Sequence, residues 1–272
     1  MNEFIVALPM YDWPEARAET DAEWARLRNL LRTSGIDAPQ RLARRNADLP
    51  PVPGGIRDAE GNLLAPDPAT LPPEELDFHA LWLHPQMLFT QTCWGPMELG
   101  LAEHVEVIGQ PNYDAFDGGQ GALYSSALVM RTDIADVPAP GDGVPAIPFD
   151  RIRGKRFAYN SLDSMSGIIA LTRDLEAVGE NLDIFSGRVA SEGHRSSIVA
   201  VAEGRVDIAA IDCRSWALAR RFEPAAAKVR VVGWTARRKG LPYITAKGTP
   251  QALLAKLRRA VAAAFETEVL AD

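Results

Sequence analysis

The sequence has little cysteine, no excess of basic charge and no long apolar run. Its 272 residues include two cysteines, Cys93 and Cys213. A disulfide between them is possible, but nothing in the sequence supports one. No stretch approaches the roughly 18 consecutive apolar residues of a membrane-spanning helix. The sequence therefore predicts no membrane span.

Acidic residues outnumber basic ones, 36 to 29, which gives a formal net charge of −7. Nucleic acids and anionic membranes favour clustered basic surfaces, so no nucleic-acid partner is expected. A small anionic ligand remains compatible with this charge, because a few oriented backbone amides outweigh distant, screened charges.

Histidines are scarce as well, with four in the chain. His79 and His84 are five residues apart, whereas a spacing of three or four places two imidazoles on one helical face. His104 has no companion ligand. We therefore expect no metal site and no cofactor.

The first nine residues lack the basic start and long apolar stretch of a secretory leader, and Pro9 ends their short apolar run. This segment is instead typical of a first β-strand. Two expectations follow: the protein is cytoplasmic if the sequence is complete as written, or periplasmic if a leader was removed before Met1.

What the sequence does contain is an alternation of strand and helix patterns, which predicts an α/β protein with mainly parallel sheets. The length fits either two lobes or one large domain. Strands are predicted at 4–8, 105–108, 122–131, 154–159, 206–211, 229–235 and 243–246. Helices are predicted at 15–32, 168–178, 196–203, 215–221 and 250–265. Residues 38–77, rich in Pro, Asp and Gly, are interpreted as a long surface excursion or a partly ordered insertion, and residues 91–96 as a turn.

The most informative segment runs from Tyr159 to Gly167, directly after a predicted strand and at the start of a predicted helix. The first amides of a helix have no intrahelical acceptor and point the same way. Together with the hydroxyls of Ser164 and Ser166 and the positive end of the helix dipole, they would form a cradle for an anion. Ordinary N-capping by Ser164 or Asp163 is the structural alternative, and an inward-pointing Asp163 carboxylate would repel an anion.

Several segments, in this order, resemble the substrate-binding proteins of phosphate and phosphonate ABC importers. The resemblance covers most of the chain outside residues 38–77. The segments that carry it are 8–12 (LPMYD), 91–93 (QTC), 124–131 (YSSALVMR), 157–167 (FAYNSLDSMSG), 193–198 (GHRSSI) and 201–212 (VAEGRVDIAAID).

This resemblance implies a type 2 periplasmic-binding-protein-like fold, with two α/β lobes joined by two crossover strands. Lobe 1 would comprise residues 1–125 plus 236–272, lobe 2 residues 126–235, and the ligand cleft would lie between them. The crossovers would fall in 124–131 and 231–243.

The resemblance also implies the binding residues. Ser164, Met165 (through its amide) and Ser166 would hold the anionic head of the ligand, and His194 would face the same group. Asp212, at the end of a predicted strand, would face the polar tail of the ligand; a cap on the following helix is its structural alternative.

Other candidates come from the remaining segments of the resemblance. Tyr11 and Asp12 follow the first predicted strand, where side chains of an open α/β sheet face the crevice. Thr92 and Trp94 lie at the predicted turn, and Tyr124 opens the predicted first crossover. Trp94 fits a core position equally well.

The function implied is that of a solute-binding protein, not an enzyme. It would bind a small phosphate-like, phosphonate-like or zwitterionic ligand and deliver it to an ABC permease by hinge closure. A cytosolic ligand sensor on the same fold is the main alternative. A less favoured enzyme reading combines Ser164, His194 and Asp212, or else His194 with Cys93 or Cys213. No strained Gly-x-Ser-x-Gly elbow presents a serine nucleophile.

Overall fold

The computed structural model describes residues 4–134 and 140–270, which form strands and helices in alternation. The strands are β1 (Ile5–Val6), β2 (Ile56–Arg57), β3 (Leu63–Ala65), β4 (Met87–Gln91), β5 (Val105–Gly109), β6 (Gly119–Gln120), β7 (Leu123–Tyr124), β8 (Ser126–Arg131), β9 (Arg156–Tyr159), β10 (Gly187–Ala190), β11 (Ile208–Asp212), β12 (Val229–Trp234), β13 (Arg238–Lys239) and β14 (Tyr243–Ala246). The helices are α1 (Arg17–Thr33), α2 (Phe78–Trp82), α3 (Trp94–Glu98), α4 (Phe149–Ile152), α5 (Ala170–Glu176), α6 (His194–Ala202), α7 (Cys213–Phe222) and α8 (Gln251–Phe265).

The chain divides into two compact units. Unit 1 comprises residues 1–92, 97–111 and 241–272, and unit 2 comprises 93–96 and 112–240. Residues 93–96, 112–125 and 236–240, which the sequence predicts in lobe 1, group with unit 2. The last two of these segments carry β6, β7 and β13, which form a three-stranded sheet.

Unit 1 is built on a four-stranded sheet in the order β1-β4-β14-β5. β1 runs parallel to β4, and β14 is antiparallel to both β4 and β5. Helix α1 buries Thr20, Trp24, Leu27 and Leu31, a spacing of three or four that places them on one face of the helix. Trp24, Leu27 and Leu31 share one hydrophobic core with β1, β4 and α8.

Unit 2 is built on a five-stranded sheet in the order β10-β9-β11-β8-β12. β9 runs parallel to β10 and β11, whereas β8 is antiparallel to β11 and β12. Phe157, Leu171 and Ile208 are fully buried in its hydrophobic core. The polar ends of β9 and β11 therefore belong to one sheet, which brings the loops after them to the same edge.

Three local features differ from the sequence-based expectations. Strand β10 was missed, because residues 188–190 are exposed at the edge of the sheet and carry no periodic apolar signal. The predicted turn at 91–96 instead contains the end of β4 and the start of α3, where Pro96 is tolerated in the first helical turn. Residues 38–77 are ordered and include the β2–β3 hairpin.

Specific anchors account for the order of residues 38–77. Leu42, Leu49 and Ile56 are buried. The side chain of Asn46 donates to the Pro72 carbonyl at 2.9 Å and accepts from the amide of Asp77 at 2.8 Å. Such isolated contacts leave no periodic pattern in the sequence, so propensity alone could not reveal them.

No helix in residues 4–134 or 140–270 has both the length and the apolar character needed to cross a bilayer.

Candidate anion-binding site in unit 2

The loop between β9 and α5 ends in a π-helical turn, Met165–Ile169. Ser164 caps this turn, its Oγ accepting from the Gly167 amide at 3.0 Å. The amides of Ile168 and Ile169 both donate to the Ser164 carbonyl, at 3.2 and 3.1 Å. Within residues 4–134 and 140–270, the Ser166 N–H meets no acceptor. The turn therefore offers one unpaired backbone donor at its N-terminal end.

Two glycines fix this loop against its neighbours. A Cβ on Gly167 would lie 1.7 Å from Oδ1 of Asn160, so no larger residue fits without moving that side chain. A Cβ on Gly95 would lie 1.7 Å from the carbonyl oxygen of Asp163. The segment 93–96 thus packs directly on the loop that carries Ser164, because its glycine permits close backbone approach.

Ser166, His194 and Asp212 form a connected polar cluster. The Oγ of Ser166 lies 2.9 Å from Nε2 of His194, and Oδ2 of Asp212 lies 3.5 Å from the same nitrogen. His194 is the first residue of α6 and Asp212 the last of β11. Ser166 and Asp212 are 4% and 3% exposed, so the cluster lies in a weakly solvated environment where these polar contacts are strong.

Asp212 also caps α7. Its Oδ1 accepts from the backbone amide of Ser215 at 2.9 Å, and its Oδ2 accepts from the Ser215 hydroxyl. The capping alternative considered for Asp212 is therefore realised, and the same carboxylate also approaches His194. A contact with a ligand tail stays a prediction.

Burial sets the charge state of the groups around Ser166. Burial lowers the pKa of His194, against an opposing effect of the Asp212 carboxylate. Burial raises the pKa of the Cys93 thiol. It also raises the pKa of Tyr124 well above its usual value, reinforced by Cys93 and Asp212. Burial therefore favours the uncharged forms of His194, Cys93 and Tyr124 near neutral pH, so these three groups add no charge to that of the Asp212 carboxylate.

The cluster does not have the geometry of a serine-hydrolase relay. In such a relay the serine and the carboxylate contact opposite nitrogens of the imidazole. Here Ser166 and Asp212 both approach Nε2 of His194. The Asp212 carboxylate is further occupied by Ser215, so it is not placed to orient His194 as a general base.

Unit 2 brings together most of the predicted ligand residues: Ser164, Met165, Ser166, His194, Asp212, Tyr124 and Trp94. One detail differs from the expectation. The Met165 amide donates to Sγ of Cys93 at 3.4 Å, so the unpaired donor is the amide of Ser166. Nζ of Lys239 lies 5.1 Å from the centre of the Trp94 ring, a cation–π distance that places a positive charge beside this aromatic face.

Tyr11, Asp12 and Thr92 belong to unit 1. Tyr11 is buried, and Asp12 accepts two hydrogen bonds from Arg44, at 2.6 and 3.0 Å. The Thr92 amide donates to the Pro242 carbonyl at 3.1 Å. The roles of these three residues in ligand binding stay predictions.

Sequence reasoning missed three residues of the unit 2 site, Ser126, Asn160 and Ser215, and it considered Cys93 only as a candidate nucleophile. Ser126 lies opposite Asp212 in the β8–β11 pairing, and its buried Oγ has no partner among the described residues. The signal that could have found it was the polar pair Ser125-Ser126 ahead of an apolar strand.

Both cysteines are free thiols, and residues 4–134 and 140–270 contain no group of three His, Cys, Asp or Glu side chains suited to a metal.

One comparison with known proteins identifies a family. The sequence profile of the periplasmic substrate-binding proteins of phosphonate ABC transporters matches residues 97–271, more than half of the chain. No curated protein matches the sequence.

Similar folds occur among solved structures. PhnD1 from Prochlorococcus marinus in complex with methylphosphonate superposes with a TM-score of 0.62 at 11% identity, over 96% of this chain and 84% of that one. The binding-protein component of an ABC phosphonate transporter from Pseudomonas aeruginosa gives 0.58 at 14% identity, over 94% and 73% of the two chains. A histidine kinase sensor domain with similarity to periplasmic binding proteins gives 0.54 at 15% identity, over 96% and 89%.

At these identities the neighbours establish the fold class alone, and the predicted periplasmic-binding-protein-like α/β fold is confirmed. The family rests on the profile match. The chain belongs to the phosphonate ABC-transporter family of periplasmic substrate-binding proteins.

Proposed function

We propose that this solute-binding protein takes a small tetrahedral oxyanion of the phosphonate class, and that the π-helical turn at Met165–Ile169 holds its anionic head. The observation that carries the proposal is the unpaired Ser166 N–H, beside the Ser166 hydroxyl and His194. A backbone donor at the start of a helix is suited to an anion, because the helix dipole adds to the hydrogen bond.

Unpaired polar atoms nearby support a polar ligand. Oγ of Ser126 and Nε1 of Trp94 are buried and have no hydrogen-bond partner within the described ranges. A buried donor or acceptor left unpaired costs about 1–3 kcal/mol, and most buried polar groups of native proteins have a hydrogen-bond partner. Ligand oxygens would satisfy them.

The wider role rests on the family. We infer that the ligand bridges the two units, including Tyr11, Asp12 and Thr92 of unit 1, and that its differential affinity for a closed form drives hinge closure. The closed protein would then deliver the ligand to an ABC permease. Periplasmic residence and the absence of turnover belong to the same proposal.

The proposal is tested by titrating methylphosphonate, phosphate, sulfate and 2-aminoethylphosphonate into the protein in a calorimeter. We expect saturable binding of at least one phosphonate at one site per chain. Ser166→Ala removes a hydrogen bond to a charged group, worth about 1.5–3 kcal/mol, so binding should weaken roughly 10- to 150-fold.

Ser186→Ala is the matched control, since Ser186 is an exposed serine of the same unit. Ser166→Ala combined with His194→Ala should weaken binding much further while lowering thermal stability far less. Unchanged affinity in the Ser166→Ala variant, or no binding of any of the four anions by the native protein, would contradict the proposal.

A further inference from the structure

Unit 1 contains a cavity of about 1060 Å³ that the proposed function does not use. One wall is a single face of α1, formed by Arg17, Asp21, Trp24 and Arg28, which are three or four residues apart. A second wall is the segment 39–45. This volume is slightly above the range of roughly 300–1,000 Å³ that is typical of small-molecule pockets.

Hydrogen bonds hold the second wall in place. The Ala43 amide donates to the Val6 carbonyl at 2.8 Å. Nη1 of Arg28 donates to the Gln40 carbonyl at 3.0 Å, and the Arg32 guanidinium donates twice to the Ala38 carbonyl, at 3.0 and 2.7 Å. The cavity walls are therefore fixed by bonds between secondary-structure elements, which reduces the ordering cost of binding.

Two of the arginines that line the cavity are neutralised. Arg44 contacts Asp12 at 2.6 Å and Asp21 at 3.0 Å. Arg45 contacts Asp48 at 3.0 Å and Glu74 at 3.1 Å. These carboxylates raise the pKa of both arginines, and each guanidinium has two anionic partners within the protein.

Arg28 and Arg41 line the same cavity without a carboxylate partner. Among residues 4–134 and 140–270, neither forms a salt bridge. Arg28 is half-buried and Arg41 is exposed. They come from two different elements of the cavity lining, α1 and the segment 39–45. A chain with a net charge of −7 thus keeps two uncompensated cations facing one cavity.

We propose that this cavity is a second anion-binding site, specific for a small polyanion that carries at least two phosphate or carboxylate groups. Each guanidinium presents a planar fork that matches such a group in bidentate fashion. Since Arg28 and Arg41 are two separate cations that line one cavity, a ligand with two anionic groups would join them, whereas a single phosphonate would engage one. The site belongs to unit 1 and is independent of the Ser166 cradle.

The test is calorimetric titration of inorganic pyrophosphate and of citrate, which separates phosphate from carboxylate recognition. The native protein should bind at least one of the two. Arg28→Gln combined with Arg41→Gln should weaken that binding at least about tenfold, because charge-assisted hydrogen bonds are lost. Ser166→Ala should leave the binding of pyrophosphate or citrate unchanged. This variant therefore distinguishes a failure of the second anion site from a failure of the proposed function.

Arg26→Gln combined with Arg259→Gln is the matched control, since it removes two exposed charges from unit 1 outside the cavity. It should bind as the native protein does. If the Arg28 substitution impairs folding, the single variant Arg41→Gln replaces the double variant in the titration. It should still weaken binding of the probe. The proposal is overturned if neither probe binds at millimolar concentration, or if the cavity variants and the control pair bind equally.

Discussion

Replacing Gly95 by alanine tests whether the segment 93–96 supports the anion-binding loop. The new Cβ would lie 1.7 Å from the carbonyl oxygen of Asp163 and 2.7 Å from its carbonyl carbon. Backbone atoms cannot rotate away as a side chain can, so the Asp163 peptide must shift by about 1.8 Å to reach a normal contact distance of about 3.5 Å. Overpacking of this kind costs about 1–3 kcal/mol. Because each kcal/mol corresponds to roughly 2–4 °C in a chain of this size, thermal denaturation should show a clearly lowered Tm.

The same substitution should impair ligand binding, because Asp163 directly precedes Ser164 and its displacement would misplace the Ser166 donors. Calorimetry should show methylphosphonate binding at least about tenfold weaker, since one well-oriented hydrogen bond to a charged group is worth that much. Gly187→Ala is the control, as its Cβ would meet no atom within 4 Å. If Gly95→Ala matches Gly187→Ala in both Tm and affinity, the packing argument is refuted.

Three further outcomes follow from the buried polar groups of the protein. Asp212→Ala should lower the urea-unfolding free energy by about 0.5–2 kcal/mol, because it removes the N-cap of α7. Burial lowers the pKa of both His194 and His84, so the unfolded chain takes up protons that the folded chain resists. Stability should therefore fall as the pH drops through about 6.5, and His194→Gln should reduce that loss in urea midpoints at pH 7.5 and 5.5. Burial raises the thiol pKa of Cys93 and Cys213, so both should react slowly with Ellman's reagent until guanidinium unfolds the protein.

Each of these outcomes can fail separately. Native-like stability of Asp212→Ala would show that the capping bonds contribute nothing. A pH dependence unchanged in His194→Gln would mean that this imidazole is not held neutral by burial. Rapid modification of Cys213 in the native protein would contradict its burial, and rapid modification of Cys93 would contradict its raised thiol pKa.

Much of the fold could be predicted from sequence because its main elements repeat apolar residues at helical or strand spacing. Helix α1 and strand β11 are examples, since each carries a continuous buried face. Strand β10 could not be predicted from the sequence, because most of its residues are exposed. An exposed strand needs no alternation of apolar and polar residues, so its sequence lacks that signal. The order of residues 38–77 depends on single anchors such as Asn46, which only tertiary contacts reveal.

The site was predictable in its residue types but not in its bonding. The Ser-rich turn after a predicted strand indicated unpaired backbone amides. N-capping by Ser164, the structural alternative, is also observed, because Ser164 caps that turn. Which amide stays unpaired depends on Cys93, distant in sequence, whose sulfur takes the Met165 N–H. The approach of Ser166 and Asp212 to one nitrogen of His194 likewise depends on the sheet pairing.

The central claim is that the Ser166 amide receives the anion, and amide resonances report on it directly. In ¹⁵N-labelled protein titrated with methylphosphonate, the Ser166 N–H resonance should move downfield and saturate in step with the calorimetric binding curve, while that of Gly187 stays in place. Saturable binding that leaves the Ser166 resonance unmoved would contradict the account.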